Sequence, residues 1–247
     1  MIKVSIVMTV YNGQKHLAEQ IDSFLNQSYL PHEIIISDDC STDNTVEICK
    51  KFPNVVEIHE RKEQLPLDEV RDRNIVLELA LKRNPDYILI IDGDEVLMNN
   101  SKEILYEELS VLYPEAKIVH LQILDVWDKP NQIRIDGLYG KGWGPRLLKI
   151  DKTFQHLRYI PTEYPGNLHC SNKFIEQIEE NYMYYSNVKI LHFSNFDQKI
   201  RQEKFEYYNK IDPNSINQDG YKHVISGQGK HSGVDGIELI QLPDYML

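Results

Sequence analysis

The sequence Asp92-Gly93-Asp94 places two carboxylates one residue apart, directly after the apolar run of residues 87–91. Two carboxylates this close repel each other unless a cation lies between them. Carboxylate oxygens are the ligands that Mg²⁺ and Mn²⁺ prefer, and the phosphate groups of a substrate usually complete the coordination shell. The turn therefore predicts a divalent-metal site. The alternative is a solvated turn, because aspartate and glycine are also common turn residues.

The segments around this turn indicate the elements that position it. Four apolar runs predict strands: residues 4–11, 33–37, 55–59 and 87–91. Strands that are apolar on both faces and alternate with helices predict an α/β three-layer sandwich with a mainly parallel central sheet. In open sheets of this kind, ligands bind at the carboxyl ends of the strands. That rule selects four polar segments: residues 9–12, residues 38–41, the charged turn before Arg73, and residues 92–95.

Helices are predicted from the spacing of apolar residues. The predicted helices cover residues 14–27, 70–83, 101–113 and 195–209, with a short helix around residues 46–49. Ser41 or Thr42 is expected to cap that short helix, and Ser101 to cap the helix that begins there. Residues 118–124 predict a further strand, whereas residues 127–172 show only short strand-like pieces. The second half is therefore expected to be irregular, and its Gly-rich end to be a flexible lid or tail.

Composition and charge limit the classes of function. The chain has 247 residues, 41% of them hydrophobic, enough for one large domain with a buried core. Its 27 Lys and Arg against 38 Asp and Glu give a net charge of −11, which argues against nucleic-acid binding. Three cysteines without metal-ligand spacing indicate reduced thiols, and no apolar run approaches a membrane span. A cytoplasmic location is expected (the host cytoplasm for a viral protein), with peripheral membrane association left open.

Residues 3–100 carry four motifs in a recognisable order. Residues 4–12 read VSIVMTVYN, residues 33–45 read EIIISDDCSTDNT, and Arg73-Asn74 precede the acidic turn. In order and spacing these motifs resemble glycosyltransferase family 2, which has the GT-A fold. The resemblance implies transfer of a sugar from a nucleotide-diphosphate sugar to an acceptor hydroxyl. It also implies a nucleotide-sugar site made of the matching residues: Thr9, Tyr11, Asp39, Arg73, Asp92 and Gly93.

Each implied role suits its residue type. Thr9 and Tyr11 would line the base pocket, where the tyrosine ring offers a flat apolar face. Asp39 would accept the ring N–H of a pyrimidine base, and Asp92 would reach the ribose. Asp94 would bind Mn²⁺ or Mg²⁺ at the diphosphate, whose negative charge grows as the glycosidic bond breaks. Three alternatives stay open: Tyr11 as a core aromatic, Asp38 or Asp39 as a helix cap, and Arg73 in a structural ion pair.

Three positions depart from the common pattern of the family. Thr9 stands where proline is frequent, Cys40 where glycine is frequent, and Glu95 where a third aspartate is frequent. Threonine and cysteine are compatible with strand ends and turns, so these departures indicate subfamily variation. Glu95 is expected either to support the metal as an outer carboxylate or to face solvent.

The second half contains two spaced histidines, His169 and His192, after an Arg134-x-Asp136-Gly137 element. This half is similar to a bacterial and viral branch of the same family. In GT-A enzymes a late histidine often completes the metal shell, so the resemblance implies His192 as a metal ligand and His169 as a neighbour of acceptor or metal. A core histidine is the alternative for each. Trp127 and Trp143 are candidate platforms for a sugar ring, and core packing is their alternative. The candidate cations that would screen the diphosphate are Lys199, Arg201 and Lys204, and a solvated helix face is their alternative.

An inverting transfer needs a general base beside the acceptor hydroxyl. The Glu-Asp pair that family members commonly use is missing here, which leaves Asp136 and Glu163 as candidates. Asp136 is preferred because it lies in the Arg-x-Asp-Gly element. A structural pairing of Asp136 with Arg134 or Arg146 is the alternative, and without the Glu-Asp pair retention of configuration stays open.

These observations predict a single GT-A domain over residues 1–247. Residues 1–100 would bind the nucleotide sugar, residues 101–212 the acceptor, and residues 213–247 would form the lid or tail. The expected function is metal-dependent, inverting transfer from a UDP- or dTDP-sugar to a hydroxyl of a glycan, lipid-linked or small acceptor. The alternative is an inactive protein of this fold that binds sugar nucleotides or glycans. A sugar-phosphate nucleotidyltransferase is disfavoured because residues 11–15 lack a Gly-rich phosphate loop.

Overall fold

The computed structural model describes residues 2–151, 157–167, 182–213, 221–226 and 236–246. The strands are β1 (Val4–Val10), β2 (Glu33–Asp38), β3 (Val55–Glu60), β4 (Tyr87–Ile90), β5 (Glu95–Leu97), β6 (Ile118–Trp127), β7 (Lys129–Arg134), β8 (Gly142–Lys149), β9 (Met183–His192) and β10 (Leu239–Gln241). The α-helices are α1 (Leu17–Leu25), α2 (Thr45–Cys49), α3 (Glu69–Leu81), α4 (Ser101–Glu107) and α5 (Gln198–Ile211).

The first half forms a parallel sheet in the order β4-β1-β2-β3. All six residues of β2 are buried, because this strand is covered on both faces. On one face Ile34 and Ile36 pack with Ile21 and Phe24 of α1, and on the other face Ile35 packs in the cluster that includes α3. The predicted α/β three-layer sandwich is therefore confirmed.

The second half extends this sheet with antiparallel strands. β8 pairs antiparallel with both β4 and β6, and β9 runs parallel to β6 and antiparallel to β5. β6 and β9 are each ten residues long, so this half is more regular than the sequence predicts. The pairing brings the end of β9 beside β5, which begins immediately after the acidic turn at residues 92–94. The sheet thus connects the two halves at the candidate site.

Several local predictions are wrong. The N-cap of α2 is Asn44 rather than Ser41 or Thr42. Ser101 is the first residue of α4 rather than its cap, and Asn100 holds the cap position with a left-handed φ of 63°. The helix predicted over residues 101–113 is α-helical only to residue 107 and continues as a π-helical turn, Glu108–Leu112.

The C-terminal residues join the fold at two places. β10 pairs antiparallel with β7, so residues 239–241 are part of the sheet rather than of a flexible tail. A 3₁₀ turn, Lys222–Val224, is attached to the same region, since Arg134 Nη1 donates a 2.6 Å hydrogen bond to the carbonyl of His223. In the described part of the chain, no helix is both long and apolar enough to cross a membrane.

Candidate active site

The carboxyl ends of β1 and β2 and the start of α3 enclose a cavity of about 220 Å³. Four of the predicted nucleotide-binding residues lie along its wall: Thr9, Tyr11, Asp39 and Arg73. The Tyr11 side chain is half exposed and its hydroxyl lies 3.3 Å from Gln64 Nε2, so it is not a core aromatic. The structure therefore brings the predicted base pocket together as an open, partly apolar cleft.

Asp39 is held at this cavity by an arginine that the sequence reasoning missed. The guanidinium of Arg61 forms ion pairs with both Asp39 and Asp72. Burial and the neighbouring Asp72 raise the pKa of Asp39, and Arg61 opposes that effect. Asp39 caps no helix, because α2 begins at Asn44 without a side-chain cap bond. Arg61 directly follows β3, so the strand-end rule that selected Asp39 could also have found it.

The two loops that frame the pocket are joined by side-chain hydrogen bonds. Asn12 N–H donates to Ser41 Oγ at 2.8 Å, and Asn12 Oδ1 accepts from Thr42 N–H at 2.8 Å. Asn12 and Cys40 have left-handed φ values of 47° and 59°. A positive φ is easiest for glycine, which gives a physical reason why glycine is frequent at the position of Cys40. These bonds fix the loop after β1 against the loop after β2.

Asp92 lies between two arginines at the end of β4. Its Oδ2 is 3.0 Å from Arg73 Nη2 and 3.5 Å from Arg146 Nη1. Burial raises the pKa of Asp92, but the two guanidinium groups outweigh burial and hold that pKa well below its usual range. Arg73 therefore lines the predicted base pocket and also forms an ion pair with Asp92, while its role in nucleotide binding stays a prediction.

Glu95 is not solvent-exposed, and it lies directly beside the candidate metal position, because it follows Asp94 and pairs across the strands with His192. Its side chain is 1% exposed and forms a buried ion pair with Arg146. Its Oε2 accepts the backbone N–H of Asp92 at 3.0 Å, and Gln20 Nε2 donates to the carbonyls of Asp92 and Glu95. The solvent-facing role of Glu95 is thus wrong, and its role as an outer carboxylate that supports a metal stays a prediction.

Asp94 and His192 meet across the pair β5 and β9. Asp94 Oδ2 is 3.7 Å from His192 Nε2, and the backbone of Asp94 is fixed by the N–H of Phe193 at 2.8 Å. His192 Nδ1 donates to Asp125 Oδ1 at 2.9 Å. Burial lowers the pKa of His192, but the carboxylates of Asp94 and Asp125 outweigh burial and raise it to about 9. His192 is thus held between two carboxylates of the site and is not an isolated core histidine.

This donor set fits a divalent cation that is also bound by a substrate. Asp94 and His192 lie close enough together that both would hold one such cation. A histidine that ligates through Nε2 commonly donates Nδ1–H to a carboxylate, the position that Asp125 occupies. Within the described ranges no group of three or more His, Cys, Asp or Glu side chains is arranged to hold a metal. A cation here would therefore need phosphate oxygens to complete its shell.

Helix α5 supplies a lysine to the same site. Lys204 Nζ donates to Ser194 Oγ at 2.8 Å, and Asn195 Oδ1 is 3.4 Å away. Burial lowers the pKa of Lys204, while Asp94 and Asp125 oppose that effect. The start of α5 is fixed because Asp197 caps it by accepting the N–H of Ile200 at 2.8 Å. Of the three predicted cations, Lys204 lies nearest to the reaction centre.

Other predicted residues lie outside this centre. Arg201 is buried, donates to Asp128 Oδ1 at 2.8 Å and stacks on Trp127, whereas Lys199 is exposed and pairs with Glu203. Trp127 is 1% exposed and cannot offer its face to a sugar, so its predicted role as a platform is wrong. Trp143 packs against Tyr185 and Lys189 instead.

Asp136, the preferred candidate for the general base, does not lie where an acceptor could reach it. Both oxygens of Asp136 accept from the guanidinium of Arg134, at 2.7 and 2.6 Å, and both side chains are 0% exposed. The structure contradicts a base role for Asp136, because no acceptor hydroxyl can reach a fully enclosed carboxylate, and it supports the structural pairing instead. Glu163 is exposed, next to Tyr164, and its role stays a prediction. His169 lies outside the described residues.

A second cavity of about 440 Å³ opens beside Asp125, His192 and Lys204. Its other lining residues are mixed and include Leu138, His223 and four tyrosines from separate parts of the chain: Tyr139, Tyr164, Tyr208 and Tyr221. His192 of the Asp94–His192 pair therefore lines this second cavity, which is distinct from the predicted base pocket.

The family model for Glycosyl transferase family 2 matches residues 5–171, more than half of the chain. The chain belongs to glycosyltransferase family 2. GlyG, a glycosyltransferase of Streptococcus pneumoniae, is 32% identical over 109 residues, which are 43% of this chain and 35% of GlyG. TarS of Staphylococcus aureus, a poly(ribitol-phosphate) beta-N-acetylglucosaminyltransferase, is 28% identical over 177 residues, which are 68% of this chain and 28% of TarS. The matched regions thus span about a third or less of these relatives.

Solved structures agree on the fold of this family 2 domain. The crystal structure of S. aureus TarS superimposes with a TM-score of 0.51 at 15% identity, covering 91% of this chain and 42% of that one. A TarS fragment in complex with UDP-GlcNAc gives a TM-score of 0.50, also at 15% identity, and covers 91% of this chain and 70% of the fragment. These likenesses confirm the predicted GT-A fold.

Proposed function

We propose that this domain transfers a sugar from a nucleotide-diphosphate sugar, UDP- or dTDP-linked, to a hydroxyl of a glycan-type acceptor. One observation carries the proposal: the base-pocket residues, the acidic turn and the Asp94–His192 pair form one continuous edge of the sheet. The family membership and the UDP-GlcNAc complex of TarS support the same donor class.

In this proposal the first cavity binds the nucleotide. The base lies against Tyr11 and Thr9, and Asp39 accepts the ring N–H of the pyrimidine. Asp92, with Gly93 in the same turn, faces the ribose and the diphosphate. Arg73 and Arg146 keep the Asp92 carboxylate ionised and oriented, which is the state that accepts hydrogen bonds from ribose hydroxyls.

Asp94 and His192 are the proposed ligands of Mn²⁺ or Mg²⁺. When bound, such a cation stabilises the charge of the departing diphosphate as a Lewis acid. Asp125 holds the His192 ring with Nε2 directed toward Asp94. Lys204 lies beside these carboxylates, held by Ser194, and its ammonium group would offset their repulsion of a diphosphate.

Asp125 replaces Asp136 as our candidate general base, with Glu163 as the second. Its Oδ1 is engaged by His192, whereas no described residue hydrogen-bonds to its Oδ2. The carboxylate lines the second cavity, so Oδ2 is accessible to an acceptor hydroxyl. The oxygen of that hydroxyl would attack the anomeric carbon while its proton moves to Oδ2 and the nucleoside diphosphate leaves, which inverts configuration.

The test is donor turnover by the purified protein across UDP- and dTDP-sugars, with Mn²⁺, with Mg²⁺ and with a chelator. We expect metal-dependent turnover that falls by more than about 100-fold in Asp94→Ala, since loss of an outer-shell partner alone costs 10- to 100-fold. Glu115→Gln, an exposed carboxylate on another surface, is the matched control. Undiminished metal-dependent turnover in Asp94→Ala contradicts the assignment.

The enclosed position of Asp136 favours a second candidate function, binding without catalysis. A domain without a working base would bind sugar nucleotides or glycans and transfer nothing. Metal-dependent UDP binding without turnover, for every donor and across a broad acceptor panel, would favour this alternative, and any detected product excludes it.

A further inference from the structure

We propose that Glu108 is a positioning residue for the reaction centre, because it fixes the pairing register of β9 and so places His192 beside Asp94. This inference rests on the proposed function, since it concerns one of the two proposed metal ligands. Glu108 is 3% exposed and is the first residue of the π-helical turn that follows α4.

Strand β9 contains a bulge where it pairs with β6. Tyr185 lies opposite His120. The next pair along the strands is Lys189 opposite Gln122, so residues 186–188 all stand opposite a single residue of β6. The strand therefore carries two extra residues before its carboxyl end. Bulges are frequent next to active sites, where they change the direction of a side chain.

The bulge decides which residue of β6 lies beside His192. With the bulge, His192 pairs with Asp125 on β6 and with Glu95 on β5. Without it, the register of the first residues of β9 would continue, and His192 would lie opposite Trp127. That displacement of two residues is about 6.6 Å along the strand, which would separate the imidazole from Asp94.

The pattern of apolar residues does not by itself select the bulged register. Side chains alternate between the two faces of a strand, so a shift by one residue reverses the faces and is strongly disfavoured. A shift by two residues leaves every side chain on its own face. Val188 and Ile190, which lie in the core, would face it in either register. The choice therefore depends on contacts that the bulge itself makes.

Glu108 supplies those contacts. Its Oε1 accepts the backbone N–H of Asn187 at 2.9 Å and the side-chain amide of Asn187 at 2.8 Å, and its Oε2 accepts the Ser186 hydroxyl. Ser186 Oγ in turn accepts the N–H of Val188 at 3.0 Å. Without the carboxylate, the Ser186 hydroxyl, which is 0% exposed, would lose its acceptor. The bulge is thus stabilised by bonds to one side chain.

The π-helical turn, Glu108–Leu112, holds this carboxylate against β9. Tyr113 N–H donates to the Glu108 carbonyl at 2.7 Å, one residue further along the chain than in an α-helix. The Tyr113 ring stacks on Tyr184 with centroids 4.1 Å apart, which joins the end of the turn to β9. Burial raises the pKa of Tyr184 to about 12, and the adjacent Glu108 carboxylate adds to that effect.

The first experiment reports the register directly. Gln122→Cys and Lys189→Cys place thiols at positions that are opposite each other in the bulged register, so they should form a disulfide on mild oxidation. Glu108→Ala should lose most of this crosslink, which is identified by mass spectrometry. Glu108→Gln should retain it, because the amide oxygen still accepts from Asn187. Glu107→Ala, exposed at the end of α4, should leave it unchanged.

A deletion separates a change of register from general damage. Removing Ser186 and Asn187 takes out the two extra residues, so β9 would pair continuously with β6 and still place His192 opposite Asp125. Added to Glu108→Ala, this deletion should restore the crosslink, because it also removes the groups that lost their acceptor.

The second experiment measures the metal site by Mn²⁺ titration in the presence of UDP, followed by electron paramagnetic resonance. Glu108→Ala should weaken Mn²⁺ binding at least about tenfold, because displacing a ligand costs no less than losing an outer-shell partner. The deletion should restore the affinity. UDP binding without metal should not change, because no described residue of β9 lines the base pocket.

An unchanged crosslink in Glu108→Ala overturns the inference, as does a lost crosslink that the deletion fails to restore. If Glu108→Ala does not fold, the variant that also carries the deletion decides, since we expect it to fold and to crosslink, and its failure overturns the inference. Absence of Mn²⁺ binding in every variant, with the expected crosslinks, would instead contradict the proposed metal role of His192 and leave the register role of Glu108 standing.

Discussion

Replacing Arg146 with methionine tests how the acidic turn is held. Arg146 is 5% exposed and its partner Glu95 is 1% exposed, so the variant leaves a carboxylate enclosed without its cation. Methionine fills much of the volume of the arginine stem, which limits any cavity effect. The variant thus isolates the loss of charge pairing beneath residues 92–95.

The expected loss of unfolding free energy follows from the burial of the pair. Removing one partner of a buried ion pair costs about 3–5 kcal/mol. Arg146 Nε and Nη1 have no hydrogen-bond partner in the described part of the chain, so their removal returns part of the desolvation cost. We therefore expect the lower end, about 3 kcal/mol, which corresponds to a fall in Tm of about 6–12 °C for a chain of this size.

The assay is urea unfolding followed by circular dichroism, with two comparisons. Arg146→Met combined with Glu95→Gln should recover part of the loss, because the amide is cheaper to bury than the orphaned carboxylate. Lys82→Met, which breaks the exposed pair with Glu78, should change stability by no more than about 0.5 kcal/mol. A loss below about 1 kcal/mol in Arg146→Met, or no recovery in the double variant, would refute this reasoning.

Four further predictions address the packing and positioning of the site. Asp136→Asn should lower unfolding free energy by about 3 kcal/mol in urea titrations, because it breaks a fully enclosed pair, and a variant of unchanged stability would contradict the structural role. In a Cys170→Ser background, UDP with Mn²⁺ should slow thiol labelling of Cys40, which adjoins Asp39, and unaltered labelling would place the nucleotide elsewhere. Burial raises the pKa of Cys49 to about 12, so this thiol should react with a disulfide reagent only in denaturant, and fast labelling of native protein would refute its burial. Asn12→Ala should cost about 0.5–1 kcal/mol and weaken UDP binding in calorimetry, because the exposed Thr42 N–H exchanges its acceptor for water and the two loops are no longer joined, and an unchanged UDP Kd would contradict the coupling of these loops.

The parallel half was predictable from sequence because its signals are local. Each of its strands is a short apolar run that ends in polar residues, and the strand-end rule then places Thr9, Asp39 and Asp92 at one edge. The caps of α2 and α4 were not predictable in the same way. Asn44 and Asn100 hold the N-cap positions although Ser and Thr residues lie nearby in the sequence. Which residue becomes the cap depends on backbone angles that the loops adopt through tertiary contacts.

The second cavity is brought together by long-range pairing that sequence patterns do not carry. The four tyrosines that line it lie between residues 139 and 221 and belong to separate segments, so no spacing unites them. The Arg134–Asp136 pair is different, because residues two apart in an extended segment share a face. That spacing indicates a structural ion pair. The resemblance in the Arg-x-Asp-Gly element instead favoured a base role for Asp136, which the structure shows to be enclosed.

The most direct measurement is the position of Mn²⁺ in crystals of the protein grown with UDP and MnCl₂. An anomalous difference map locates the cation independently of any assumed ligand. We predict a single strong peak bonded to both Asp94 Oδ2 and His192 Nε2, with UDP in the cleft between Tyr11 and Asp39. A peak away from this pair, or UDP bound at another surface with no cation at residues 92–94, would contradict the account.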